Sequence, residues 1–454
     1  MAAVDVARLQ FALTATLHFL FVVITLGLTP LIAIMQTRWA ITGKAVHEQM
    51  TRFWGQLYVI NYAIGIVSGL VMEFQFGLHW TGLMEFAGDV FGAPLAIETL
   101  VAFFLESTFL GMWIFGWHRL NRWVHTVLFW LVTLTAYLSA YWVMVANGFL
   151  QEPAGHVVED GVARIDDIGA LLSNEQAIGA LLHIAPASIL TGCVLILGVS
   201  AWHFLRGTPD VDFFRRSVRL AVVAGVVAVW STVIMGFAQF AYMTEGKLLA
   251  FGASAAERAD VQAEMEAVHG PGNWTPPEWV SFVWPVMEWI GHLYSFLFIG
   301  LLVLLIKNAF DRARPAWFRR AWHRFYVWTI PLPVIAVICG WLLREVGRQP
   351  WMVYGELRVD DAVAPHGVTR MTISLVLFGG AVAALAAIDW WVIARLARRG
   401  PRHVVLGSDL GGHDLDVPGV AFAGERRSDS AASQHVPGSN EARTAQPLSN
   451  IERT

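Results

Sequence analysis

The chain has 454 residues, of which 56% are apolar and only 15% charged, against roughly 25% charged in a soluble domain. That excludes an ordinary soluble globule and points to a polytopic membrane protein, for which the net charge of −4 says less about partners than the placement of the charges does. Cys193 and Cys339 stand alone in apolar runs, which excludes a CxxC-held iron–sulfur cluster and CxxCH-type covalent haem attachment.

Nine apolar segments are long enough to cross a bilayer, at about 9–37, 53–77, 94–117, 123–148, 177–205, 217–243, 280–307, 325–346 and 371–397. The first is too long for the apolar core of a signal peptide and reads as a retained span. The fifth and seventh contain Pro186 and Pro285, which a spanning helix tolerates where neighbours satisfy the freed carbonyl. Lys and Arg gather in alternate connections: Arg38, Lys44 and Arg52; Arg119 and Arg122; Arg206, Arg215 and Arg216; Arg312, Arg314, Arg319 and Arg320; then Arg398, Arg399 and Arg402. The intervening loops are poor in cations, 79–93 having none and 149–176 only Arg164. The positive-inside rule then predicts an external N-terminus and a cytoplasmic C-terminus. The expected organisation is an all-α membrane domain over 1–402, with an external loop at about 244–279, and a disordered cytoplasmic tail over 403–454 that is rich in small polar residues.

Ionisable groups at membrane depth are costly and mark pathways or cofactors. Glu98 and Glu106 lie eight residues apart in the third span, roughly 12 Å at helical rise, and project to a similar side. With the predicted orientation, His18, Glu98, His183, Met287 and Glu345 all fall in the outer half, and Glu106 lies deeper toward the cytoplasm. Each has a plainer reading. A histidine can be an interhelical hydrogen-bond partner, and a methionine can be core filler. Glu345 can pair with Arg344 or Arg348, and Glu73 can form a salt bridge. The two carboxylates of span 3 are harder to explain so, because a buried carboxylate must be protonated, paired or wet. His79, His118, His125, His203 and His323 lie near predicted span ends and are expected to face interfaces.

Long motifs then coincide: RLQFALTATLHFLFVVITLG (8–27), FWGQLYVINYAIGIVSGLVMEFQFG (53–77), FGAPLAIETLVAFFLESTFLGMWIFGW (91–117), LSAYWVMVANGF (138–149) and GRQPW (347–351). Over about residues 5–243 and 280–400 the chain closely resembles subunit I of cytochrome bd-type quinol oxidases. The resemblance implies quinol oxidation coupled to reduction of O2 to water, with two b-type haems plus one haem d (or a third haem b) and no copper. It implies His183 and Met287 as axial pair of the low-spin haem, and His18 as ligand of the O2-site haem. Glu345 is implied as ligand of the second high-spin haem, with Arg348 of the same motif also at a cofactor. Glu98 is placed beside the high-spin haems and Glu106 on a proton path, with Ser107 and Ser139 as neighbours. A His/Met pair fills both axial positions and suits electron transfer. One-sided ligation leaves a position for O2.

The departures concern the donor. Lys247 is present in GKLLAFG, but Gly252 stands where the family pattern expects an acid. Pro285 replaces an arginine two residues before Met287. Glu288 and His292 share a helix face by their spacing of four, so Lys247 and Glu288 are the candidate quinol residues, with His292 supporting Glu288. Implied partners are a second membrane subunit, with scope for a small accessory one, together with quinol, O2 and the lipid bilayer, and no nucleic acid. The expected location is the bacterial cytoplasmic membrane. Two rivals stay open: a bd-like haem electron-transfer protein with another donor, and a haem-free ion or proton transporter.

Overall fold

The computed structural model describes residues 2–306 and 315–408. Among these, nine helical runs are long and apolar enough to cross a membrane: Ala3–Thr42, Ala45–His79, Thr81–Phe115, Arg122–Gln151, Ile168–Leu205, Val211–Tyr242, Glu278–Ile306, Ala316–Val346 and Val368–Arg399, numbered spans 1 to 9. The number agrees with the apolar segments, and each run begins ahead of its segment in the preceding flank. Arg312, Arg314 and the tail from 409 onward lie outside the described residues. The expected start of the tail at 403 moves, because the segment up to Ser408 is still packed on the bundle. Arg52 and His118 both donate to the Gly407 carbonyl at 2.6 Å, and the backbone N–H of Val405 donates to Gln56.

Three polar connections carry structure that apolar runs did not reveal. Residues 79–93, expected as a loop, are largely a helix, Thr81–Ile97, with a kink at Ala87 (φ −126°, ψ 22°). Its buried residues Leu83, Ala87, Val90 and Phe91 recur at helical spacing, so the signal was present as a period rather than as a hydrophobic run. Residues 149–176 contain an antiparallel hairpin, His156–Glu159 with Val162–Ile165. The loop after span 6 carries a helix, Ala255–His269, opened by Ser254 and Glu257 in a reciprocal cap. Pro285 sits in the first turn of helix Val283–Ile306, where a missing N–H leaves no hydrogen bond unmade. Only Pro186 is a truly interior proline of the two.

The helices pack around two main apolar cores, with a small third cluster of Ala250, Val280 and Leu343. One lies at the end bearing the basic connections and includes Trp54, Tyr58, Trp113, Phe129, Phe214 and Phe298. The other lies under the hairpins and the helix after span 2, and includes Trp80, Phe91, Phe149, Val353 and Met371. Spans 1 and 5 approach closely at glycine, since a Cβ on Gly27 would lie 2.1 Å from the Ser188 carbonyl oxygen. Between the two cores the packing opens, and there the unusual polar groups collect.

Candidate functional site

Two large cavities open in this middle layer. The first has about 1350 Å³ of empty space and is lined by His183, Met287, Lys247, Glu288, His292 and Arg344 among many apolar residues. The second, about 1800 Å³, is lined by His18, Glu73, Glu98, Glu106, Glu345 and Arg348. Phe19, Ile184 and Trp341 border both, so the cavities are neighbours.

The histidine tautomers follow from their partners. His183 Nδ1 lies 2.9 Å from the Thr232 carbonyl, which can only accept. Nδ1 therefore carries the proton, and Nε2 keeps a lone pair. His18 Nδ1 lies 3.0 Å from the Ser68 hydroxyl, whose own proton goes to the Gly65 carbonyl at 2.8 Å. His18 is thereby held in the same state. Glycines make room for the donor groups. A Cβ on Gly69 would lie 3.1 Å from His18, one on Gly236 2.9 Å from His183, and one on Gly340 3.2 Å from the Met287 sulfur. Such oriented donors, each fixed from behind, are what a metal-ligating imidazole needs. Among the described residues no three His, Cys, Asp or Glu side chains gather as a protein cage for a free ion. Haem iron takes only one or two protein ligands, so donors spread over large apolar cavities fit haem.

Glu345 accepts from Arg348 at 2.8 Å and from the Asn147 amide at 2.9 Å. Of the two arginines that could pair with it, Arg348 does so, while Arg344 turns to the Asn147 carbonyl at 2.6 Å. Arg348 is 5% exposed, and its Nε and Nη1 have no partner among the described residues. Unmade donors on a buried guanidinium are costly, so an acceptor such as a cofactor carboxylate fits there.

In span 3 the chain widens into a π-helical turn over Glu98–Phe103. Eight residues of regular α-helix would leave Glu98 and Glu106 about 80° apart in azimuth. The extra residue of the wide turn removes about one 100° step, which brings the two carboxylates nearly into line. Glu98 accepts from Ser139 at 2.5 Å and from Thr99 at 3.2 Å, and Thr99 also reaches Glu73 at 3.0 Å. Glu73 is therefore joined to this cluster by a hydroxyl rather than held in the expected salt bridge. Glu106 is 4% exposed, with Oε1 unpartnered. Neither predicted serine neighbour binds it, since Ser139 serves Glu98 and Ser107 pairs with Tyr62 at 3.2 Å. Tyr62 lines the same cavity as Glu106.

The donor side departs furthest from expectation. Lys247 is not an open loop cation. It is 4% exposed and donates to Gln151 at 2.7 Å and Gln176 at 3.4 Å. His292 bonds the backbone carbonyl of Glu288, not its carboxylate, because Nδ1 reaches back one helical turn. Gly252 has φ +107°, a backbone state that an acidic residue rarely adopts, so the loop is built for glycine here. Three of the histidines expected at interfaces are interior. His125 stacks on Trp113 and bonds its carbonyl at 2.7 Å, His203 bonds the Ala397 carbonyl at 2.8 Å, and His79 is buried beside Phe378.

The profile of the family described as cytochrome bd terminal oxidase subunit I matches residues 6–257 and 247–401. The chain belongs to that family. It is 32% identical to the cytochrome bd ubiquinol oxidase subunit 1 of Bacillus subtilis (strain 168), over 89% of this chain and 95% of that one. It is 30% identical to the cytochrome bd-II ubiquinol oxidase subunit 1 of Escherichia coli (strain K12), over 88% and 97%. The solved structure of the bd oxidase from Geobacillus thermodenitrificans superposes with a TM-score of 0.74 at 25% identity, covering 88% of this chain and 99% of that one. The motifs that suggested subunit I thus belong to a likeness spanning nearly the whole membrane domain. Membership implies haem cofactors and a second oxidase subunit, and with nine apolar spans it places this subunit I in the bacterial inner membrane as a multi-pass protein. Sequence reasoning missed Asn147, Gln151, Thr99, Ser68 and Thr232. Four of these are polar side chains in helices, and Thr232 acts through its backbone carbonyl; the role of each depends on which helix faces it.

Proposed function

We propose that this subunit I oxidises a membrane quinol and reduces O2 to water, using one low-spin haem b in the first cavity and two further haems in the second. The observation that carries this reading is the convergence of His183, its Nδ1 proton committed to Thr232, and Met287 on one apolar cavity. His183 and Met287 would hold the low-spin haem. His18 and Glu345 would each hold one haem of the second cavity, a b-type and a d-type (or a third b-type), with Arg348 at a carboxylate of one of them. Bound haem supplies the one-electron iron chemistry that O2 reduction requires.

The protein's own part is position and protons. Ser68 and Thr232 fix the imidazoles. The apolar walls limit water around them. Reduction of O2 consumes four protons, and the second cavity extends from the middle layer toward the end away from the basic connections. With that basic end cytoplasmic, Glu106 lies on the inner side of Glu98 and would hand protons outward to it, and Ser139 and Thr99 would hold Glu98 ready. Proton uptake from inside and release from quinol outside would build a gradient. Subunit II completes the oxidase, and a small accessory subunit can join it.

A redox-difference spectrum of the purified protein is the direct test. The expected result is a low-spin b band that disappears in His183→Ala and in Met287→Leu, while the other haem bands stay. A protein with no haem bands would leave the transporter reading, and retention of the low-spin band in both variants would refute the ligand assignment.

Glu288 is the proposed proton acceptor for quinol. It faces the first cavity beside Met287 and is half-buried. Glu288→Gln should slow quinol-driven O2 uptake about a hundredfold, the lower end of a general base's usual contribution. Uptake with an artificial one-electron reductant should stay near normal. Equal loss with both donors would assign Glu288 to structure, and no loss would favour a different donor for this branch.

A further inference from the structure

The first cavity has a second unusual feature, in its cations. Lys247 and Arg344 both line it, and they are neighbours. Lys247 Nζ donates to the side-chain carbonyl of Gln176, and Arg344 Nη2 donates to the backbone carbonyl of the same residue at 3.2 Å. Neither forms an ion pair with any described carboxylate. Glu345 is taken by Arg348 and Asn147, Glu152 accepts from the Gln176 amide at 3.3 Å, and Glu288 faces the cavity without reaching either cation. The acceptors they do have are neutral amides. Asn147, Gln151 and Gln176 turn carbonyl oxygens to the cations and NH2 groups toward Glu345 or Glu152.

Two adjacent cations, Lys247 buried and Arg344 half-buried, with no carboxylate in ion-pair contact among the described residues are unfavourable through lost hydration and mutual repulsion, which the more distant Glu345 charge offsets only in part for Lys247. Burial and the Arg344 charge hold the Lys247 ammonium well below the usual lysine range. Amide dipoles soften this but do not neutralise it. An anion with two negative groups, entering from the cavity, would. A guanidinium has five N–H donors, and Arg344 uses only two groups on protein acceptors. A quinol is neutral and does not meet the requirement. A haem edge carries two carboxylates and does.

We propose that Arg344 and Lys247 form a two-cation clamp for the paired carboxylates of the haem held by His183 and Met287. This rests on the haem reading above and moves Lys247 from the quinol to the cofactor. The clamp also raises the reduction potential of that haem, because nearby positive charge favours the reduced, more negative state.

The test is a spectroelectrochemical titration of the low-spin band in the intact oxidase without quinol, for Arg344→Met, Lys247→Met and Arg344→Lys. Each methionine variant should lower the reduction equilibrium constant about tenfold, equivalent to about 59 mV for one electron. Arg344→Lys, which keeps the charge, should stay near the unaltered value. Loss of the low-spin band in Arg344→Met with its retention in Arg344→Lys also supports the clamp. An unchanged potential in either methionine variant with haem retained overturns it, as does loss of the band in both Arg344 variants alongside an unshifted Lys247→Met. Absence of any b-type band in the unaltered protein would instead remove the haem reading itself.

Discussion

His18→Ala should reduce O2 consumption to background while leaving the low-spin band of the first cavity intact. The two effects separate because, on the proposed assignment, different residues would hold the haems of the two cavities. His18 brings an oriented imidazole into the second cavity, its Nδ1 fixed by Ser68 at 3.0 Å, and alanine removes the donor outright. Gly69 leaves no side chain to take its place. Ser68→Ala should be milder, since the ring remains and only its orientation loosens; loss of an outer partner commonly costs 10–100-fold. Glu345 is the companion test, but Glu345→Ala would strip Arg348 of its carboxylate, and breaking a buried pair destabilises by about 3–5 kcal/mol. Glu345→Gln keeps a hydrogen-bond acceptor there and is the cleaner variant. An oxygen electrode and a difference spectrum on the same preparations decide the matter. Normal turnover with normal haem content in His18→Ala would remove His18 from the site.

What was legible in the sequence depended on range. The spans were legible because twenty or so apolar residues in a row have few other uses. Helix Thr81–Ile97 was overlooked because its apolar residues are periodic, not contiguous. That His18, Glu98 and Glu345 fall at a common depth was legible from counting residues along alternating spans, but not that Glu106, read as deeper, lines the same cavity while His183 and Met287 line another. Partners across the bundle were not. That Glu98 would bind Ser139 while Ser107 turned to Tyr62 depends on azimuth, and the π-helical turn shifts azimuth in a way no periodic count from the sequence anticipates. Lys247 shows the same limit in a loop. Its composition reads as solvated, yet the chain folds its ammonium under Gln151 and Gln176.

Glu106→Gln should retain all haem bands but slow turnover by about two orders of magnitude or more, in the range typical of a lost proton-transfer group. Glutamine preserves the shape and much of the polarity of the side chain but cannot release a proton. The position makes the loss specific. Glu106 is buried, has an unpartnered oxygen, and lines the second cavity together with Tyr62. A carboxyl whose task was to tie helices together would have its oxygens bonded to them, as Glu345 has. The wide turn between Glu98 and Glu106 places them on one side of span 3, so on the relay reading a proton would pass from one to the other along the cavity wall. The structural reading predicts the opposite pair of results: haem content and assembly fall in Glu106→Gln, and the turnover of whatever protein assembles stays normal. Ser139→Ala adds a second constraint. It frees Glu98 of its shortest hydrogen bond without touching Glu106, so on the relay reading it slows turnover less than Glu106→Gln does. Haem content per subunit and O2 uptake per haem, measured together on both variants, separate a proton relay from a helix tie.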